Sequence, residues 1–213
     1  MKVSKIGHCC LVIETSGVKL LTDPGTYSTG QEHVTGLDAI LITHNHQDHF
    51  HIESLDTILK SNASAVVVCN AEVAKIVSEK DIKSVIVDDG NRIKIKDVLI
   101  EGFGKKHEFI AEDWPLPENT GYFIDGRLYY PGDAFYHPSR NIEILALPVA
   151  GPWMKISESI KYAESVRPKI SFPVHDGGLK ENALEVTHRV HTQVLERSKI
   201  RFIPFKSGET LNL

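Results

Sequence analysis

Within Thr43-His44-Asn45-His46-Gln47-Asp48-His49, four strong metal-ligand side chains, His44, His46, Asp48 and His49, fall inside six consecutive positions. Imidazole and carboxylate donors together suit zinc, with manganese or iron(II) also compatible, and the absence of thiols nearby argues against a closed structural site. The cluster directly follows Ala39-Ile40-Leu41-Ile42, a branched, uncharged run that reads as a short buried strand. Beyond it Ile52, Leu55, Ile58 and Leu59 recur at helical spacing, with Glu53 and Asp56 in the opening turns, where acidic groups suit the helix dipole. The expected unit is strand, ligand loop, helix. On the last extended residues, positions two apart point the same way, so His44 and His46 can face one ion. Asp48 and His49 lie around the turn, displaced toward a second position. The plain alternative is a solvated loop rich in histidine. Three imidazoles and a carboxylate set against a hydrophobic strand gain little as structure, which favours ligation.

His44-x-His46-x-Asp48-His49 resembles the signature of the metallo-β-lactamase superfamily of hydrolases. A dinuclear site of that kind needs more ligands than the loop supplies, and His or Asp recurs at later strand ends. His107 lies past Val98–Phe103, Asp133 closes Pro131-Gly132-Asp133 after Arg127–Tyr130, and His175 ends the run from Lys169 to Val174. Singly each has a bland alternative: His107 beside Lys105 and Lys106 fits a basic solvated turn, and an Asp after Pro-Gly is a common turn residue. The resemblance implies His44, His46 and His107 on a first metal and Asp48, His49 and His175 on a second, with Asp133 bridging both. It also implies an α+β fold, a four-layer αβ/βα sandwich of two mixed β-sheets face to face with helices outside. The implied reaction is cleavage of an ester or lactone bond of a small molecule by a metal-bridging hydroxide, with Asp48 and Asp133 as the catalytic carboxylates. The implied cofactors are two divalent metal ions, Zn2+ first, with Mn2+ or Fe2+ as alternatives. Within the superfamily the chain is most similar to the compact ascorbate-6-phosphate lactonase-like branch. Gly7-His8, Leu21-Thr22-Asp23-Pro24, and Leu147-Pro148-Val149 with Trp153-Met154 ahead of Pro173-x-His175 carry that likeness.

Two other readings stay open. A phosphodiesterase acting on nucleotide or phospholipid-type substrates uses the same metals, and a non-catalytic metal-binding sensor uses the same ligands. The chain has no Gly-x-Ser-x-Gly elbow, phosphate-binding glycine loop or dinucleotide fingerprint.

The elements that must position these residues begin with short strands at Val3–Ile6, Leu11–Thr15 and Val18–Thr22, an opening β-meander. Asp23 then either buttresses the ligand loop or closes an Asx turn on its own backbone. His8 is either a hydrogen-bonded structural group or a partner of a ligand. The turn Asp89-Gly90-Asn91 joins strands at Val85–Val87 and Arg92–Ile95. Residues 108–119 form a long connection of the kind that is usually functional, in which Phe109 and Trp114 either wall a substrate pocket or cap the core. Phe135-Tyr136-His137 and Trp153-Met154 are further pocket candidates, with His137 read as a surface residue. Cys9, Cys10 and Cys69 read as core packing. His188 and His191 read as the solvated border of a late helix whose apolar stripe is Ala183, Val186, Val190 and Val194.

The 213 residues are expected to form a single domain, 1–213, because no Pro/Gly/Ser-rich linker or charge block divides them. Apolar content of 41% and charged content of 24% exclude a disordered or membrane-spanning class. The three cysteines, two of them adjacent, make a poor disulfide framework, and no leader is recognisable at the start, so a reducing cytoplasm is the expected compartment. A net charge of −4 counts against a nucleic-acid partner. The expected partner is a small-molecule substrate, and a homo-oligomer is the base-rate expectation.

Overall fold

The computed structural model describes all residues 1–213. The first half runs β1 (Lys2–Gly7), β2 (Cys10–Thr15), β3 (Val18–Thr22), β4 (Ala39–Ile42), α1 (Ile52–Ser61), β5 (Val66–Cys69), α2 (Ala71–Ser78) and β6 (Ser84–Ile86). The second runs β7 (Arg92–Ile95), β8 (Val98–Phe103), β9 (Gly121–Ile124), β10 (Leu128–Tyr130), β11 (Ile144–Pro148), α3 (Ile156–Val166), β12 (Ile170–Val174), α4 (Glu181–Arg197), β13 (Arg201–Phe202) and β14 (Thr210–Asn212). They build two seven-stranded sheets, ordered β14-β1-β2-β3-β4-β5-β6 and β13-β12-β11-β10-β9-β8-β7. Each sheet is antiparallel on one side and parallel on the other, the change falling at β3/β4 and at β10/β11.

Sequence pattern explains the layers. β4 is buried along its whole length, as a parallel strand covered on both faces requires. One face of the first sheet, Val3, Leu11, Ile13, Leu20 and Leu41, meets Ile100, Tyr122, Ile124, Leu128, Tyr130 and Phe172 of the second in a shared interior. On the outer face of the first sheet, Ile40 and Ile42 pack under Leu55 and Ile58 of α1 and Val73 and Val77 of α2. On the second, Leu145 and Leu147 pack under Ile160 and Ala163 of α3 and Leu195 of α4. The result is the expected four-layer αβ/βα sandwich of mixed sheets with helices outside. No helix is long and apolar enough to cross a membrane.

Two expectations need correction. The turn at Asp89-Gly90-Asn91 is no hairpin, because β6 is an edge of the first sheet and β7 an edge of the second, so the segment crosses between layers. His188 and His191 are buried, whereas Val186 of the supposed apolar stripe is 44% exposed. The inward face of α4 is set by polar partners. His188 Nε2 lies 3.1 Å from Asp176, while His191 stacks on Phe202 and bonds Ser159 through Nε2 at 3.0 Å.

Candidate metal centre

The loop after β4 is held from beneath by Asp23, which follows β3 with a left-handed φ of 36° and is fully buried. Its Oδ1 accepts the Thr43 backbone N–H at 2.8 Å. Its Oδ2 accepts the Thr43 hydroxyl at 2.8 Å, the Tyr130 hydroxyl at 2.6 Å and the His49 Nδ1–H at 2.7 Å. Asp23 is therefore a buttress shared by both sheets, a larger role than an Asx turn. Gly25 allows the approach, since a Cβ there would sit 2.0 Å from the Asp48 carbonyl oxygen.

Hydrogen bonds fix the protons on three imidazoles. The Thr43 hydroxyl spends its hydrogen on Asp23, so it accepts from His44 Nδ1–H at 3.0 Å. His49 Nδ1–H is given to Asp23, and His107 Nδ1–H to the Glu108 carbonyl at 2.6 Å. In each ring Nδ1 is the nitrogen committed to a hydrogen bond and Nε2 the one left to face a metal, the arrangement that orients metal-binding histidines.

All seven residues singled out in the sequence converge. His44, His46, His107 and Asp133 form one cluster, and Asp48, His49 and His175 another, which His8 joins; within each cluster the ligand atoms lie within 4.8 Å of one another. His44 Nε2 is 3.1 Å from His46 Nδ1, His107 Nε2 is 3.4 Å from Asp133 Oδ2, and His175 Nε2 is 3.5 Å from Asp48 Oδ2. Asp133 sits between the clusters, Oδ2 lying 2.9 Å from His175 Nε2 and Oδ1 lying 3.1 Å from His49 Nε2. Its turn is set by Asn119, which accepts the Asp133 backbone N–H at 3.0 Å and donates to the Pro131 carbonyl at 2.9 Å.

The donor set fits divalent cations. His49 Nε2, His107 Nε2, His175 Nε2 and Asp133 Oδ1 are buried and make no aligned hydrogen bond, their polar neighbours being one another and Asp133 Oδ2. Such atoms are costly unless something absent from the polypeptide satisfies them. Four donors at 2.0–2.1 Å from a tetrahedral zinc lie about 3.3 Å apart, and the 3.1–3.5 Å spacings within the clusters match that edge. Charge agrees with geometry. Burial works against ionised Asp133, but His175 and His49 outweigh it and hold its carboxyl well below the usual range. Burial likewise opposes ionised Asp48, which the His8 hydrogen bond and His49 pull down. Burial and His49 push His44 well below the ordinary imidazole value, and burial and His107 lower His46. His49 and His175 go the other way, burial being overcome chiefly by Asp133. Cations in the site would replace the protons that these two rings otherwise hold.

Beside the second cluster opens a cavity of about 460 Å³ lined by His8, Tyr27, Gln47, Asp48, Pro152 and His175 among others, with no Lys or Arg. Pro152 also borders a second recess, of about 450 Å³, walled by Phe109, Ile110, Phe135, Trp153 and Met154. Trp114 is 59% and Phe109 65% exposed, so neither caps the core; Phe109 walls the second recess, and Trp114 lines neither cavity. Trp153 plays a part that its sequence position did not announce, since its indole N–H donates to Asp133 Oδ2 at 2.9 Å. The Tyr130, Asn119 and Asn70 contacts likewise have no local signature in the sequence; Asn70 caps α2 and donates to the Thr43 and Glu118 carbonyls at 3.0 and 2.8 Å. His137 is exposed, as read.

Comparison with known proteins agrees with this architecture. The family described as Beta-lactamase superfamily domain matches residues 2–175, well over half of the chain, which therefore belongs to that superfamily. A Mycobacterium tuberculosis protein is 37% identical over 215 residues, covering 99% of this chain and 100% of the relative. A UPF0173 metal-dependent hydrolase of Nanoarchaeum equitans is 27% identical over 82% of this chain and 83% of its own length. Among solved structures, the metallo hydrolase Igni18 of Ignicoccus hospitalis superposes with a TM-score of 0.76 at 20% identity, covering 99% of this chain and 97% of that one, a likeness of fold. The chain is a metal-dependent hydrolase of the metallo-β-lactamase superfamily.

Proposed function

We propose that the protein cleaves an ester or lactone bond in a small molecule, with two divalent ions held at the paired clusters. His44, His46 and His107 would bind one ion, and Asp48, His49 and His175 the other, with Asp133 between. The observation that carries this is the set of four buried donor atoms without an aligned hydrogen bond, all on residues of those clusters. Zinc is the first choice for a mixed imidazole and carboxylate set, ahead of Mn2+ and Fe2+. When bound, such ions lower the pKa of a coordinated water and polarise the bond under attack.

The chain's own groups do the rest. Asp48, 22% exposed at its side chain and bordering the cavity, is the carboxylate placed to orient an attacking water and take its proton. Asp133 is buried and fixed by Trp153, so its part is to hold charge between the clusters. The cavity beside Asp48 is lined by no Lys or Arg, while Lys155 borders the adjoining recess. Three free, buried cysteines support a reducing cytoplasm as the compartment, and the interior shared by both sheets supports one domain, 1–213.

The test is a panel of neutral lactones, neutral aryl esters and bis-aryl phosphodiesters offered to protein reloaded with Zn2+ or Mn2+. Turnover of the neutral esters or lactones in preference to the diesters is expected. Preference for the diesters would establish the phosphodiesterase reading, and binding of metal without turnover of any class would favour a sensor.

A further inference from the structure

His8 lies in the same cluster as Asp48, His49 and His175, so proximity alone makes it a fourth ligand for the second ion. Its hydrogen bonds say otherwise. The backbone N–H of Gly177 donates to His8 Nδ1 at 3.0 Å. A backbone amide has only a proton to offer, so Nδ1 carries the lone pair and Nε2 carries the hydrogen. That Nε2–H faces Asp48 Oδ2 at 3.1 Å. His8 thus has the opposite tautomer to His44, His49 and His107, whose protons sit on Nδ1. A ring with hydrogen on the atom that faces the ion position cannot ligate there.

We infer that His8 is a positioning residue, an imidazole clasp that donates to Asp48 and joins the two loops carrying the second ion's ligands. The inference rests on the two-ion reading of the centre. The clasp is built at both ends. The His8 carbonyl accepts the His175 backbone N–H at 3.2 Å, so the loop after β1 grips the His175 loop by main chain and side chain. Gly177 permits that grip, because a Cβ there would meet the His8 Cβ at 2.9 Å. His8 and His175 both take left-handed backbone, φ 38° and 60°, and both are buried. Non-glycine residues hold that conformation where surrounding contacts enforce it. With Asp48 Oδ2 engaged by a fixed donor at 3.1 Å, the carboxylate's rotation about its last bond is restricted. An imidazolium at position 8 would turn a second N–H against the Gly177 amide. Cations on Asp48 and His49 would repel that charge as well.

Zinc titration against a chromophoric chelator, on wild type, His8→Ala and His8→Gln, tests the clasp. An amide at position 8 still offers Asp48 an N–H, whereas a methyl does not. His8→Ala is expected to weaken the second ion roughly 10- to 100-fold, the usual effect of losing a ligand's hydrogen-bond partner, and His8→Gln to stay close to wild type. In protein labelled with 15N-histidine, the His8 signal, assigned by its loss in His8→Gln, is expected to show Nε2 protonated and Nδ1 bare with zinc bound. A bare Nε2 with protonated Nδ1 would make His8 a ligand and overturn the inference, as would a glutamine variant as weak as the alanine one. Uptake of a single ion by wild type would instead overturn the two-ion reading, and the clasp is then decided by whether His8→Gln holds that ion as wild type does while His8→Ala holds it more weakly.

Discussion

Replacing Asp23 by Asn keeps the side chain's shape and removes its charge, so its effect isolates the buttress. Oδ2 receives three donors, His49 Nδ1–H at 2.7 Å, Thr43 Oγ1–H at 2.8 Å and Tyr130 O–H at 2.6 Å, while Oδ1 receives the Thr43 N–H at 2.8 Å. An amide has one oxygen to offer. Turned toward the three donors, it presents its NH2 to the Thr43 backbone and leaves a buried N–H unsatisfied, at about 1–3 kcal/mol. Turned the other way, its NH2 faces His49 Nδ1, and the ring escapes the clash only by moving its proton to Nε2. That is the atom 3.1 Å from Asp133 Oδ1, whose lone pair the centre uses. The second orientation removes the support of the metal-binding tautomer of His49, and the first leaves a neutral oxygen where a carboxylate stood, so zinc affinity should fall roughly 10- to 100-fold, which is about 1.4–2.8 kcal/mol. Chelator competition reads the affinity, and urea unfolding of the metal-free protein reads the fold. Tyr130→Phe, which deletes one of the three donors and leaves the carboxylate, should cost less on both. Unchanged zinc affinity in a folded Asp23→Asn protein would refute the claim that His49 is held as a ligand from beneath.

Trp153→Phe keeps an aromatic ring near Phe135, 5.2 Å away, but deletes the N–H on Asp133 Oδ2; chelator competition should find zinc bound roughly tenfold more weakly, with little change in unfolding. Phe109→Ala empties one wall of the recess beside Trp153; steady-state kinetics on any substrate found should show a raised KM with metal content intact, the pattern of lost uniform binding. Asp176→Asn leaves Lys5, paired at 2.6 Å and 1% exposed, without its counter-charge. Urea unfolding at neutral pH should register a loss of about 3–5 kcal/mol. Burial works against ionised Asp176, but His188 and Lys5 hold its pKa below the ordinary value. A depressed carboxyl contributes stability above its unfolded pKa of about 3.9, lost as pH falls through the folded value, so the gap between wild type and variant should narrow in acid.

The parts of the centre legible in the sequence are those with local signatures. β4 announces itself by an unbroken branched run, and the ligand loop follows it at once; His107, Asp133 and His175 each stand where an apolar run stops. Strand ends are where a sheet's C-terminal edge presents side chains, so residue type and place coincide. What escaped has no local trace. Trp153 reaches Asp133 from twenty residues away, and Lys5 reaches Asp176 across 171; nothing within either stretch marks the partner. The misreading of α4 has the same origin. An apolar stripe is a rule for helices that pack on apolar neighbours, whereas this one turns His188 toward Asp176 and His191 toward Ser159 and Phe202. β14 closes the first sheet beside β1 at the far end of the chain, a pairing that short polar Thr210–Asn212 does not advertise.

The central claim is that two ions occupy the paired clusters, and anomalous diffraction from zinc-loaded crystals measures this directly. Two peaks are expected about 3.5–4 Å apart, as in other two-metal hydrolytic sites, one among His44, His46 and His107 and one among Asp48, His49 and His175, with Asp133 touching both. A single peak, or a peak outside these residues, would contradict the account.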